Sequence, residues 1–283
     1  MNRRRLPLFG IAILAGIAAF VLIGPLVWSI SPGQMDLAAR NQTTSWAHPL
    51  GTDQLGRDTL ARLMAGGRLS LAVGLAAMLL ALSLGAGIGI IAGMSRRLDG
   101  PLMRLTDLFL ALPLLPLLLI ATTLFRAPLA ARFGPEAGIF ALITIAIGAT
   151  SWMSAARILR GEVRSLMQRD FIRAARSTGT RTGPMIWRHI LPAIAAPLGV
   201  SVALGIASAI LMESALSFLG LGFPPDLPSW GRLLYEGTPH LGAYPGRAIW
   251  PGALITIAAL GATLLADALR DLADPRQWTR HHD

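Results

Sequence analysis

The chain has 283 residues and a mass of 30.0 kDa; 53% of its residues are hydrophobic, only 14% are charged, and its mean hydropathy is +0.57. Soluble domains carry about 25% charged residues, and the apolar residues here gather into uncharged blocks long enough to cross a bilayer, so the composition describes an integral membrane protein and excludes an ordinary soluble enzyme. All 25 basic residues are Arg and there is no Cys: without Lys there is no Walker A loop, Schiff base or Ser–Lys pair, and without Cys no disulfide, thiolate nucleophile or Cys-ligated metal.

Six apolar segments follow one another, over residues 6–30, 70–94, 108–125, 137–156, 193–212 and 248–266, and none contains Asp, Glu or Arg. At about 1.5 Å per residue each spans a hydrocarbon core of about 30 Å, the third with least to spare. Six transmembrane helices are expected; the alternating pattern of membrane strands is missing. The first segment is longer than a signal-peptide core and no Ala-x-Ala site follows it, so it is expected to be retained.

Placing the N-terminus inside puts 17 Arg on the cytoplasmic side and eight outside, the asymmetry that retains positive charge in the cytoplasm. Both termini are then cytoplasmic, and Trp28 and Trp250 fall at the outer interface, where indole rings are favoured. The net charge of +10 is explained by this retention rather than by nucleic acid.

Within the spans, Gly85, Gly89 and Gly93 repeat at four-residue spacing, a flat stripe for a second helix of this chain or of a partner. Pro113 and Pro116 are expected to kink the third span. Transporters coupled to protons or sodium carry ionisable groups near the bilayer midplane; here Asp107, Glu213 and Asp267 all fall at or near predicted helix ends, where interfacial solvation is expected. His48, His189, His240, His281 and His282 are scattered over loops on both sides, so ordinary hydrogen bonds are expected of them, and no metal site.

The inside loop over residues 157–192 is 36 residues long, too long for a plain connection. Asp170 fits an N-cap, residues 171–177 read as a short amphipathic helix, and Gly179 suits a left-handed C-terminal cap. A second helix is expected over 184–190, opened by Pro184 and stopped before Pro192. Such a protrusion, with Ala174 and Ala175 exposed beside Arg173 and Arg176, fits a groove in another protein; a basic amphipathic helix lying on anionic lipid is the competing reading.

The string Arg173-Ala-Ala-Arg-Ser-Thr-Gly179, followed by Trp187-Arg-His-Ile-Leu-Pro192, resembles the EAA loop of permease subunits from binding-protein-dependent ABC importers: Glu-Ala-Ala, three residues, Gly, then Leu191 and Pro192 downstream. Three more stretches resemble the peptide and nickel branch: His48-Pro-Leu-Gly-Thr-Asp-Gln-Leu-Gly-Arg-Asp58, Glu213-Ser-Ala-Leu-Ser-Phe-Leu-Gly-Leu-Gly-Phe223 and Pro228-Ser-Trp-Gly231. With the six-span layout, the similarity covers nearly the whole chain.

The resemblance implies an all-α membrane protein of the type I (MetI-like) permease architecture, with an N-terminal helix and outer loop over residues 1–69 and a five-helix core over 70–283. It implies that Asp170, Arg173, Ala174, Ala175, Arg176, Gly179, Leu191 and Pro192 belong to a coupling loop seated in an ATPase subunit. Arg173 replaces the Glu that names the motif, so a salt bridge made by that Glu does not carry over. Gly51, Asp53, Gly56, Arg57, Asp58, Glu213, Gly220, Gly222, Trp230 and Gly231 are expected to face outside, toward a binding protein or a partner permease, or else to shape the outer loops. The implied assembly holds a homologous permease, two cytoplasmic ATPases that bind ATP and Mg, and an extracytoplasmic solute-binding protein, in the lipid of a bacterial inner membrane. This chain is expected to need no cofactor and to catalyse nothing. The expected solute is a di- or oligopeptide, with nickel the alternative; an autonomous secondary transporter is the reading from another class.

Overall fold

The computed structural model describes residues 6–273, and they form a helical bundle. Helix α1 (Leu6–Leu22) continues through the single turn α2 (Gly24–Val27), and an outer loop leads to α3 (Thr59–Met94), a helix of 36 residues. The amphipathic α4 (Arg96–Ala111) precedes α5 (Leu114–Phe133); α6 (Pro135–Ala149) and α7 (Trp152–Leu166) run nearly end to end. The short α8 (Asp170–Ser177) and α9 (Thr182–Met185) lead through a π-helical turn (Ile186–Ile190) and α10 (Leu191–Ala193) into α11 (Ala195–Phe218). The outer helix α12 (Trp230–Gly237) and the long α13 (Gly246–Ala273) complete the bundle.

Six segments are long and apolar enough to cross a membrane: Leu8–Val27, Thr59–Met94, Leu114–Phe133, Pro135–Leu166, Ala195–Phe218 and Gly246–Asp271. The count expected from the sequence holds, and the largest shifts in where a span begins are those of the second and third. Helix α3 begins eleven residues before residue 70, because Asp58 caps it by accepting from the Ala61 N–H and because the arginines in its first turns are neutralised. Arg62 is paired with Asp53 and Glu236, and Arg68 donates to the Val21 and Leu22 carbonyls. The boundary expected at 69/70 therefore falls inside one continuous helix. The third span runs from Leu114 rather than 108: the expected stretch is broken outright at Leu112 and Pro113, between α4 and α5, rather than kinked within one helix. Pro113 is its N-cap and Pro116 lies in its first turn, where a missing N–H costs nothing. Residues 108–111 instead end the amphipathic α4.

The centre is the packing of α3 against α6, α7 and α11, with α1 and α13 paired beside them. The stripe of Gly85, Gly89 and Gly93 faces α7 of this chain. A Cβ at Gly85 would stand 2.7 Å from the Trp152 carbonyl oxygen, one at Gly89 2.7 Å from that of Ala156, and one at Gly93 2.7 Å from the Val163 Cβ. Backbone therefore meets backbone along this seam, the close approach that small residues permit in helices lacking a hydrophobic driving force. Gly87, on the same helix, has nothing within 4 Å of its would-be Cβ. Gly89→Val is expected to lower stability by about 1 to 3 kcal/mol, the range for overpacking, while Gly87→Ala leaves the thermal midpoint in detergent unchanged or slightly raised.

Candidate functional site

At one end of the bundle, α8 packs against the ends of α3 and α7. Its amphipathic sequence turns Ile172 fully inward onto Leu159, Val163, Met185, Ile190 and Ile194, with Ala175 half-buried beside them and Phe171, Arg173, Ala174 and Arg176 exposed. Of the two alanines expected on the surface, Ala175 is thus partly taken up by the chain's own core. Asp170 is the first helical residue, not the cap: Arg169 occupies the N-cap, and the Asp170 side chain makes no capping hydrogen bond. Its carboxylate lies 3.9 Å from Arg173, both side chains in open solvent.

Helix α8 ends as expected at Gly179, whose φ is +81°. The Thr180 N–H donates to the Ala175 carbonyl and the Gly179 N–H to that of Arg176, a Schellman closure that needs a left-handed residue. Pro192 does not stop the next helix. The Leu191 N–H reaches back five residues to Ile186, and this widened turn lets the helix pass Pro192 into α10. Leu191 is half-buried and Pro192 exposed. Helix α4 is tied to the same end through Asp99, which accepts from Arg160 and, at 3.0 Å, from Arg164 on α7. The Arg160 hydrogen bond, with the charges of Arg160 and Arg164, holds the Asp99 carboxyl below its ordinary value against the opposing effect of burial.

At the other end, the loop around residues 51–58 is an ordered ledge. Gly51 and Gly56 have φ of +74° and +72°, and a Cβ at Gly56 would overlap the Asp36 carbonyl. Asp53 is buried, as are Arg57 and Asp58. Asp53 accepts from the Leu55 and Arg57 N–H groups at 2.8 and 2.9 Å, from Arg57 Nε at 2.6 Å and from Arg62 at 2.7 Å. Glu236 on α12 lies 2.9 Å from Arg62, 3.6 Å from Arg57 and 2.9 Å from Arg232, so two carboxylates here meet three guanidinium groups. Asp58 also accepts from Trp28 Nε1 at 3.1 Å and pairs with His48 at 2.8 Å. Outward contact through the Asp53, Arg57 and Asp58 side chains is therefore corrected: they hold the ledge together from inside.

Glu213 departs furthest from expectation. It lies wholly buried in α11 instead of solvated at an interface. Two hydroxyls bind it, Ser70 at 2.8 Å and Ser217 at 2.7 Å. Behind them stands the N-terminus of α12: the Trp230 N–H donates to Ser70 Oγ at 3.1 Å, while the Arg232 N–H donates to Ser229 Oγ, which donates to Ser217 Oγ at 3.3 Å. Both relays thus carry donors from the α12 N-terminus, the positive end of its dipole, to the two carboxyl oxygens. Gly231 and Gly222 allow this approach, since a Cβ at Gly231 would lie 2.5 Å from Ser214 Cα and one at Gly222 would overlap Ser217. Trp230 is fully buried, its Nε1 donating to the Leu63 carbonyl at 2.9 Å. Gly220 closes α11 in the same manner as Gly179 closes α8, with φ of +79°.

Between these ends lies a cavity of about 320 Å³. It opens where two pairs of helices break: α4–α5 at Leu112 and Leu114, and α6–α7 at Thr150 and Ser151. Its polar groups are the hydroxyls of Thr150, Ser151, Ser154, Ser201 and Ser208, and no charged side chain lines it. Sequence reasoning missed this feature, because serines on two helices separated by the whole α8–α10 segment carry no local pattern. It also missed Arg62, Glu236 and Ser70, whose partners lie far away in the chain.

Two predictions follow from the outer network. Burial raises the pKa of Asp53, but the Arg57 and Leu55 N–H groups and the two guanidinium groups outweigh it and hold the carboxyl below the ordinary 3.8. Its stabilisation is therefore complete above that value and disappears as pH falls through the lower folded value. Asp53→Asn is expected to cost about 3 to 5 kcal/mol at neutral pH, as when one partner of a buried pair is lost, and to flatten the acid limb of thermal midpoint against pH. Glu213→Ala strands the Ser70 and Ser217 donors and is expected to cost about 1 to 3 kcal/mol for each; Glu213→Gln, which keeps an acceptor, should lower the midpoint less.

Comparison with known proteins agrees with the geometry. Residues 85–279 match the family described as binding-protein-dependent transport system inner membrane component. A protein of Brucella suis biovar 1 that carries a provisional peptide-permease name is 37% identical over 277 residues, covering 97% of this chain and 88% of the relative. The dipeptide transport system permease protein DppC of Alkalihalophilus pseudofirmus is 36% identical over 277 residues, with 98% and 88% covered. The oligopeptide transport system permease protein OppC of Bacillus subtilis is 33% identical over 274 residues, with 96% and 86% covered. With a family match over more than half its length and six apolar spans, this multi-pass membrane protein belongs to the inner membrane components of binding-protein-dependent transport systems, the permease subunits of ABC importers.

Proposed function

We propose that the chain forms one half of the path for short peptides through a bacterial inner membrane, with both termini in the cytoplasm, and that it does so beside a homologous permease. Two cytoplasmic ATPases that bind ATP and Mg drive the assembly, and an extracytoplasmic binding protein delivers the solute. The chain itself supplies shape and hydrogen bonds, and breaks no covalent bond. The peptide assignment rests on the names of relatives aligned along nearly the whole chain; nothing among the described residues favours nickel.

The single observation that carries the coupling part is α8. It is a rigid, capped helix with Ile172 and Ala175 rooted in the core and Phe171, Arg173, Ala174 and Arg176 turned outward. A peg of this kind transmits motion because its base is packed, while its exposed face, basic at two positions and small at a third, is free to enter an ATPase groove. The familiar Glu of the motif is absent, so the outward contact here is made by Arg173, which favours an acidic lining in the partner.

The test is Gly179→Val in the reconstituted complex. A β-branched residue at φ of +81° strains the turn by about 1 to 2 kcal/mol and is expected to loosen α8 without preventing insertion. Peptide uptake should fall several-fold while basal ATP hydrolysis persists and loses its dependence on the loaded binding protein. Unchanged coupling in a variant that inserts normally would remove the α8 cap from the mechanism.

A further inference from the structure

We propose that the cavity bordered by α3, α4, α5, α7 and α11 is a water-filled stretch of the solute path, and that Ser151, Ser154 and Ser208 form its hydrogen-bonding wall for the amide groups of a passing peptide. The identity of the occupant rests on the peptide reading above; the water does not.

Three observations converge. Helices α6 and α7 run end to end over Pro135–Leu166, and the backbone is interrupted at Thr150 and Ser151, inside the uncharged stretch and about 9 Å before Arg157. Irregular backbone at that depth is tolerated where protein buries it or where it meets a water-filled cavity, and Thr150 and Ser151 both line the cavity and are only half-buried.

The hydroxyls supply the second observation. Membrane-span hydroxyls without a polar neighbour satisfy themselves by donating to a carbonyl one turn back. Ser83, Thr122, Thr123, Thr150, Ser201, Thr256 and Thr263 all do so here. Thr144 on α6 and Ser214 on α11 also make none, their hydroxyl oxygens enclosed by protein, whereas Ser151, Ser154 and Ser208, equally without such a bond, all line the cavity, Ser154 and Ser208 with exposed side chains. A hydroxyl left open in hydrocarbon is costly, whereas one facing water or a solute amide is satisfied.

The third observation is charge. The lining combines apolar surface from Met78, Phe109, Leu112 and Leu204 with hydroxyls and contains no ionisable group. A hydroxyl both donates and accepts, so it serves the N–H and C=O that every peptide repeats, whatever its side chains. The wall therefore imposes no preference for peptide charge and leaves that choice to earlier steps.

The absence of Cys makes the test clean. Ser154→Cys and Ser208→Cys are introduced singly into the full importer, its other subunits freed of thiols, in proteoliposomes. Each is exposed to membrane-impermeant methanethiosulfonates, one bearing a trimethylammonium and one a sulfonate, with the exposed apolar position Ile257→Cys on α13 for comparison. Both serine variants should label. After correction for intrinsic reactivity, the two reagents should differ by no more than about threefold, as expected where no strong field acts. Saturating tri-alanine with binding protein and ATP should slow labelling several-fold. Failure of both positions to label in every nucleotide state, or labelling no faster than Ile257→Cys, would overturn the aqueous path. A large preference for one reagent charge would overturn the neutral wall. Labelling with neither protection nor uptake for any peptide would instead overturn the peptide reading and leave the aqueous cavity standing.

Discussion

The structure hangs on the backbone-to-backbone seam between α3 and α7. Because Gly85, Gly89 and Gly93 carry no side chain, α7 settles against α3 closely enough for Trp152, Ala156 and Val163 to fill the groove. Everything at that end follows from the approach. Ile90 of α3 and Leu159 and Val163 of α7 together make the apolar seat on which Ile172 of α8 rests. Without the seam the seat would open, and α8 would lose its foundation before losing any exposed residue. A helix of eight residues is marginal by itself, so its order is borrowed from the seam beneath.

Charge organises the opposite end. Arg57 and Arg62 are both buried around the start of α3, and each alone would be prohibitive to desolvate. Asp53 and Glu236 answer them from two different segments, joining the loop before α3 to α12. The same helix α12 points its N-terminus at Glu213, so it is fixed at both ends by carboxylates, one through arginines and one through serine hydroxyls.

The sequence made the spans legible wherever composition alone decides: uncharged blocks of sufficient length, closed by arginines, gave six helices. The cap at Gly179 was legible too, because a lone glycine after an amphipathic stretch has few other uses. What stayed hidden was pairing across distance. Arg62 and Arg68 read as the end of an apolar block, since nothing local says that Asp53, Glu236 and two carbonyls neutralise them, and so the start of α3 was placed late. Glu213 read as an interfacial carboxylate for the same reason: its solvation comes from Ser70, 143 positions earlier, and from a helix that follows it. Pro113 and Pro116 show the reverse failure, a strong local signal whose meaning depends on register, because a proline that kinks mid-helix merely opens a helix when it stands in the first turn.

Of the two longest spans, α6–α7 is interrupted and α3 is not. Helix α3 is therefore a single stiff rod of about 54 Å, with the Asp58 cap and the outer ledge at one tip and the seat of α8 at the other. Close contacts hold it along its length: Gly67 against Val21 and Trp230, Gly74 against Ile210, and Gly85, Gly89 and Gly93 against α7. A tilt of about 5° carries each tip by about 2 Å, in opposite senses. An uninterrupted rod has no hinge to absorb a displacement, so any tilt imposed on the seat of α8 is carried to the ledge at the far tip.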